Sequence, residues 1–324
     1  MLPPHLKTDD RYVVTIGVFD GVHLGHVGML EAARRTARQM RARVLALAFD
    51  PHPAHVLRPD QVPSRLLTWT DKAAFLREAG ADDVCRVEPT PSLLGQTPEQ
   101  FVENLVSARR VCAVVEGPDF RFGQGRRGDA DMLRQLGAKL GFEACVVEPV
   151  QLALHDQLVV TVRSSLVRWL LAHGRVADAA RCLGRCYQWQ GVVERGEGRG
   201  RSIGVPTANV RAVGPDAPMT PAEGVYAATA ILKDGRAFPA AISVGSKPTF
   251  AATATLVVEA HLIGFAGELY GEPLKLQFQR WLRDQIRFDA VEPLQAQIGR
   301  DVRAVQRWHG RDAINGLPCP VAAG

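Results

Sequence analysis

At 324 residues the chain is long for one compact core and comfortable for two domains. No uninterrupted apolar run is long enough for a transmembrane helix, and the start MLPPHLKTDD has no apolar signal region, so a soluble, cytoplasmic protein without a membrane partner is expected. The net charge is +5, yet arginine outnumbers lysine 33 to 6 and is spread along the chain, which favours small phosphorylated ligands over nucleic acid. The six cysteines (Cys85, Cys112, Cys145, Cys182, Cys186 and Cys319) form no C-x-x-C pair and are expected to be reduced and buried.

Along the first half, short apolar runs alternate with helical patterns. YVVTIGVF (12–19), VLALAF (44–49), DDVCRV (82–87), VCAVVEG (111–117) and FEACVVEP (142–149) are each too short for a buried helix and read as strands. Between them VGMLEAARRTARQM, KAAFLREAG, TPEQFVENLVSA and DADMLRQLGAKLG carry apolar residues three and four apart, and Thr97 with Gln100 has capping-box spacing. Repeated strand-helix-strand units predict an α/β domain: a parallel sheet with helices on both faces and ligands at the carboxyl ends of its strands.

The pattern changes near 183. After SSLVRWLLAHG and VADAARCLGR come six Gly/Pro-punctuated runs, WQGVVERGEG, GVPTANV, GVYAATAIL, AFPAAISVG, ATLVVEAHLIG and PLKLQFQRWL, with no helix between them. Such spacing predicts a small antiparallel β-barrel, closed by an amphipathic helix over about 291–307. The expected domains are 1–184 and 185–310, with 311–324 a disordered tail.

In TIGVFDGVHLGH (15–26), a strand ends in a glycine-punctuated loop bearing His23 and His26 where a helix begins. Residues three apart share a helical face, so both rings would leave the first turn together, where free N–H groups favour an anion. Histidines satisfied by local hydrogen bonds are the plainer reading. A zinc pair on a helix prefers a spacing of four with an intervening Glu, which is absent. GQGRRG (123–128) matches a dinucleotide fingerprint by formula but follows the fourth strand, with Asp119-Phe-Arg-Phe intervening, and is read as chance; no P-loop motif occurs.

GVFDGVHLGH resembles the signature of the H-x-G-H nucleotidylyltransferases, in the form found in the bacterial bifunctional riboflavin kinase/FMN adenylyltransferase (FAD synthetase) family. FDPHP (49–53), EGPDFRFG (116–123), SSLVR (164–168) and LGR (183–185) follow in that family's order, and RGRSIGVPTANV (199–210), EGVYAA, SVGSKPTF, VEAHLI, LYG and WLRDQIRF resemble its kinase module. The resemblance covers about 13–305. It implies a Rossmann-like adenylyltransferase domain followed by a riboflavin kinase barrel. The activities would be riboflavin plus ATP to FMN, and FMN plus ATP to FAD and pyrophosphate. ATP, riboflavin and FMN would be the partners, FMN and FAD serving as substrate and products, in a monomer or weak homo-oligomer.

For adenylyl transfer, positioning and charge stabilisation suffice without a protein nucleophile. His23 and His26 would donate to the α-phosphate; Gly17, Gly21 and Gly25 would let the backbone approach, with Phe19 and Asp20 also at the nucleotide. Ser164, Ser165 and Arg168 would hold the leaving phosphates, although a solvated helix face also explains Arg168. Family analogy places Asp119 near the adenosine, where a turn-forming Asp is the alternative. For the kinase, Thr207 and Asn209 offer neutral oxygens to Mg²⁺ carried with ATP. Glu259 in an apolar strand is the candidate base unless it faces outward. Gly198, Arg199 and Gly200 in RGEGRGR would cover phosphates or form a solvated turn. The resemblance places Gly224, Tyr226 and Arg283 at the flavin. Two departures stand out: Arg163 replaces a serine and Ser165 a threonine of I-S-S-T-x-I-R, and Gln285 replaces the carboxylate of R-D-E. They leave open a single-activity or non-catalytic flavin-binding relative.

Overall fold

The computed structural model describes residues 10–107, 110–196, 204–214, 216–247 and 255–315. Packing divides the chain into two units, Met1–Ser64 with Thr68–Arg163, and Arg65–Leu67 with Ser164–Gly324.

The first unit holds the expected parallel sheet. Its strands are β1 (Arg11–Gly17), β2 (Arg43–Phe49), β3 (Asp83–Val87), β4 (Arg110–Glu116) and β5 (Glu143–Val146), in the order β3-β2-β1-β4-β5. β1 and β2 are buried from the second residue to the sixth, as strands covered on both faces must be. Helix α1 (Leu24–Met40) packs on β1, β2 and β4. Tyr12, Val14 and Ile16 join a core with Phe101, Leu105, Leu133 and Leu136. The last four come from two of the next helices in the chain, which are α2 (Ala54–Leu57), α3 (Trp69–Glu78), α4 (Pro91–Leu94), α5 (Pro98–Ser107) and α6 (Ala130–Leu140). The α5 capping box forms in both directions: Gln100 N–H donates to Thr97 Oγ1 at 3.2 Å, and Thr97 N–H to Gln100 Oε1 at 3.0 Å. The one-turn helices α2 and α4 and a hairpin of β6 (Gln151–Ala153) with β7 (Val159–Thr161) have no counterpart in the sequence reading.

The second unit opens with α7 (Ser164–Ala172) and α8 (Val176–Leu183), linked at Gly174. There φ is +70°, and a Cβ would fall 1.8 Å from the Trp281 ring, so only glycine fits. Six antiparallel strands follow as a closed barrel: β8 (Tyr187–Glu194), β9 (Ala208–Ala212), β10 (Gly224–Leu232), β11 (Ala237–Lys247), β12 (Thr255–Leu262) and β13 (Pro273–Arg283), in the order β10-β11-β12-β9-β8-β13. Closure removes open sheet edges. Its interior takes Trp189, Tyr226, Phe278, Ile242 and Val258. The final helix α9 (Val291–Asn315) packs on β10 and β11 and continues past 307, so 311–315 are helical where a disordered tail was expected; 316–324 lie outside the described residues.

The cysteines depart from expectation in two ways, since Cys112 and Cys145 are only partly buried and Cys186 is not a thiol, while Cys319 lies outside the described residues. Cys85, Cys112, Cys145 and Cys182 are free thiols, but Cys186 is disulfide-bonded.

A buried ion pair fastens α9 to the barrel. Arg283 Nε lies 3.1 Å from both Asp301 oxygens and Arg283 Nη2 2.8 Å from Oδ2, while Gln297 adds a bond to Oδ1. Removing one partner of a buried pair strands the other charge. Asp301→Ala is therefore expected to lower stability by about 3 kcal/mol in urea unfolding; a loss under about 0.5 kcal/mol, the scale of an ordinary surface substitution, would show that this pair does not hold the helix.

Candidate active sites

In the first unit, the strand order reverses between β1 and β4, and the two strands part there. β1 stays paired with β2 as far as Gly17–Ala48, and β4 with β5 as far as Glu116–Val146, but the β1–β4 ladder stops at Val14–Val114. Such a fork at the carboxyl ends of a doubly wound sheet is where ligands bind. Both β1 with its glycine loop and β4 with its Asp119 loop open onto it.

From β1 the chain turns sharply into α1. Phe19, Gly21 and Val22 have φ of +49°, +86° and +39°, and Val22 N–H donates to Phe19 O at 3.1 Å. A β-branched residue in the left-handed region is strained, by about 1–3 kcal/mol, and such strain concentrates at functional loops. His23 is the N-cap of α1 but makes no side-chain capping bond. Its ring stacks on His26 at 3.7 Å between centroids and 17° between planes, so the two rings leave the helix start side by side, as their spacing predicts. Phe19 meets His26 edge-on at 5.2 Å. A Cβ on Gly25 would lie 3.1 Å from the His23 ring, and one on Gly17 3.3 Å from the Phe19 ring, so both glycines leave room for these rings. Asp20 is buried in the same turn.

Asp119 is exposed on the loop after β4. The GQGRRG segment forms a tight turn, Gln124–Arg126, after β4 and does not open a strand-turn-helix unit. Arg163 ends the first unit; Ser164, Ser165 and Arg168 lie in the first two turns of α7, in the second. The strand before them is β7 of the hairpin, outside the parallel sheet.

Two features of the first unit escaped the sequence reading. Asp50, at the end of β2 in FDPHP, is buried with Arg86 Nη2 at 2.8 Å and Lys72 Nζ at 3.6 Å; Lys72 also donates to Phe49 O and Arg86 to Asp50 O. The second is Glu116, 3% exposed, whose Oε1 accepts from Ile16 N–H at 2.6 Å and from the Thr15 hydroxyl at 3.4 Å. Burial pushes this carboxyl well above the usual carboxylate range, with Asp119 acting in the same direction and the two hydrogen bonds opposing. A carboxylate ending an apolar strand was the available signal, the same one that singled out Glu259.

In the second unit, the barrel sets three polar residues on one row. Ser243 of β11 faces Glu259 of β12, and Glu259 faces Asn209 of β9. Facing residues share a side of the sheet. Their neighbours Ile242, Val244, Val258, Ala260 and Val210 are buried, which puts the row on the outer surface. Glu259 therefore does face outward, beside Asn209, and is half-buried. A Cβ on Gly196 would collide with the Asn209 amide, so that glycine cradles it. Thr207 is exposed just before β9, and His261 Nδ1–H donates to the adjacent Pro206 O at 2.8 Å, tying PTAN to the Glu259 strand. Gly198, Arg199 and Gly200 lie outside the described residues. Gln285 donates to Ser243 Oγ at 2.9 Å and to Val244 O at 2.8 Å, bonds that a carboxylate could not donate. Tyr226 has no exposed surface and gives its hydroxyl to Ala222 O, while Gly224 lies against Trp281 at the strand's start. Arg283 is held by Asp301 and Asp284 O.

A Rossmann-like sheet with H-x-G-H at its fork, followed by a closed barrel carrying PTAN opposite a glutamate, defines a two-part nucleotide-handling protein. Residues 5–160 match the FAD synthetase family and residues 183–309 the riboflavin kinase family. The bifunctional riboflavin kinase/FMN adenylyltransferase of Escherichia coli (strain K12) is 33% identical over 299 residues, 92% of this chain and 93% of its own. That of Pseudomonas fluorescens is 35% identical over 295 residues, 91% of this chain and 92% of its own. A solved structure described as a macrolide-efflux protein from Streptococcus pneumoniae has a TM-score of 0.85 at 26% identity, over 94% of this chain and 96% of that one. Among the described residues no helix is long and apolar enough to cross a membrane. The chain belongs to the bifunctional riboflavin kinase/FMN adenylyltransferase family.

The Glu116 carboxyl makes stability depend on pH. Its folded pKa is raised above the ordinary 4.5, so the fold retains a proton that the unfolded chain releases, and stability falls as pH rises above that value. Glu116→Gln keeps an oxygen for Ile16 N–H and has no proton to lose. Its advantage over the parent in urea unfolding is expected to widen by about 1 kcal/mol or more between about pH 5 and about pH 8; a constant difference would contradict the raised pKa.

Proposed function

We propose that this chain makes both flavin nucleotides: the barrel transfers the ATP γ-phosphoryl group to riboflavin, giving FMN and ADP, and the α/β unit joins FMN to the AMP part of ATP, giving FAD and pyrophosphate. The observation that carries this reading is the presence on one chain of two separate, chemically matched constellations, the stacked His23–His26 pair at the sheet fork and the Asn209–Glu259 row on the barrel.

In the adenylyl transfer, an FMN phosphate oxygen attacks the ATP α-phosphorus in line, the bond to the bridging oxygen breaks, and pyrophosphate leaves. His23 and His26, side by side at a helix start, donate to the α-phosphate as charge accumulates. Gly17, Gly21 and Gly25 keep the approach open, with Phe19 and Asp20 shaping the turn and Asp119 near the adenosine. Ser164, Ser165 and Arg168 hold the departing phosphates, with Arg163 supplying an added cation. The Asp50–Lys72–Arg86 cluster fixes the FDPHP end of β2.

Although it faces outward from the barrel, Glu259 stands in one row with the polar Ser243 and Asn209, and in the kinase reaction it accepts the proton of the ribityl hydroxyl as that hydroxyl attacks the γ-phosphorus. Asn209 faces that carboxylate and Thr207 lies just before the same strand, and their neutral hard oxygens are a donor set suited to Mg²⁺ carried with ATP. The ion would neutralise phosphate charge. Gly198, Arg199 and Gly200 cover the phosphates. Gly224, Tyr226 and Arg283 lie at the flavin, Tyr226 through its backbone because its side chain is buried. The functional division is drawn at 184/185, in a cytoplasmic monomer or weak homo-oligomer without a nucleic-acid partner.

The chain incubated with riboflavin, ATP and Mg²⁺ is expected to yield FMN and then FAD on chromatography. His26→Ala is expected to cut FAD formation by about 10²–10³-fold while FMN still forms. Glu259→Ala or Thr207→Ala is expected to cut FMN formation, by about 10²-fold or more for the base, while supplied FMN is still converted. Loss of riboflavin phosphorylation in a folded His26→Ala chain would contradict the assignment of one reaction to each site.

A further inference from the structure

Glu116 takes no part in the chemistry written above, yet its carboxyl is sealed into the fork where that chemistry is placed. The β1–β4 ladder has stopped at Val14–Val114, so Ile16 N–H, in a residue 4% exposed, has no strand carbonyl across from it. A buried backbone N–H without an acceptor costs about as much as a lost hydrogen bond. Glu116 Oε1 supplies the acceptor at 2.6 Å from the neighbouring strand. A side chain reaches further than a backbone carbonyl, so the strands remain joined while standing apart.

The contact leads onward to the histidines through adjacent packed groups. Ile16 precedes Gly17, whose Cα lies against the Phe19 ring closely enough that a Cβ there would be 3.3 Å from it. Phe19 in turn meets the His26 ring edge-on at 5.2 Å, and His26 stacks on His23 at 3.7 Å. A strand end free to shift would move Gly17, then Phe19, then the imidazole.

We propose that Glu116 is a positioning residue for adenylyl transfer: its carboxyl oxygen stands in for the missing strand partner of Ile16 and, through Gly17 and Phe19, fixes where His26 meets the phosphate. This rests on the functional reading above. The residue acts on geometry and not on substrate binding, so its removal lowers kcat for FAD formation and leaves the KM for FMN nearly unchanged. The kinase reaction on the same chain serves as an internal control.

The test compares the full chain with Glu116→Gln and Glu116→Val, measuring FAD formation from FMN, FMN formation from riboflavin, and thermal unfolding. The Gln chain is expected to form FAD within about twofold of the parent, because its amide oxygen still accepts from Ile16 N–H. The Val chain is expected to lose about tenfold or more in kcat for FAD formation, with KM for FMN and riboflavin phosphorylation within about twofold. A folded Val chain with parental FAD kcat, or a Gln chain as impaired as Val, overturns the proposal. Hydrogen exchange at the Ile16 amide of the parent decides the matter if the Val chain does not fold: protection like that of Val14 supports it, and rapid exchange overturns it. A parent that makes no FAD overturns the functional reading itself.

Discussion

The parting of β1 from β4 is the constraint on which the first unit depends. Two parallel strands that remained paired to their ends would close the sheet where the order reverses. Here they separate after Val14–Val114, each still paired to its outer neighbour. The opening leaves a buried N–H that needs an acceptor, and the Glu116 side chain provides it. Three left-handed residues then turn the chain within the span from Gly17 to the start of α1. The pair of imidazoles follows from that turn, since residues three apart at a helix start must project together.

The barrel solves a different problem with the same economy of elements. Its interior is filled with apolar side chains, so the polar row lies on its outer surface. Strand register assembles the row Ser243, Glu259 and Asn209 from three segments far apart in sequence. Buried polar contacts hold the rims: Arg283 on Asp301, and Tyr187 on Met219 O. Gln285 ties the chain after β13 to Ser243 beside that row.

Much of this was legible in the sequence, for identifiable reasons. The strands β1, β2 and β4 announced themselves as apolar runs because both faces are covered, and the α5 cap because Thr97 and Gln100 have the spacing that two reciprocal bonds require. The β6–β7 hairpin was not legible: strands of three residues, with Leu158 and Val159 exposed, carry no periodic signal. Nor was the burial of Tyr226, since GVYAATAIL is apolar on both faces and does not declare which side is the interior. The family resemblance placed Arg283 at the flavin, but its ion pair with Asp301 was not legible, because Asp301 lies in a helix that only the fold brings to it. Glu116 was visible as a letter, but its importance depends on where the ladder ends, and register is a tertiary fact.

We propose above that the fork between β1 and β4 is the adenylyl-transfer site, with the stacked histidines as its phosphate contacts. A crystal structure of the chain with FMN and a non-hydrolysable ATP analogue tests it most directly. The analogue's α-phosphate is expected within hydrogen-bond reach of His26, at the mouth of the fork and beside the Gly17–Val22 turn. An analogue seated elsewhere on the sheet, with both imidazoles touching no phosphate, would contradict it.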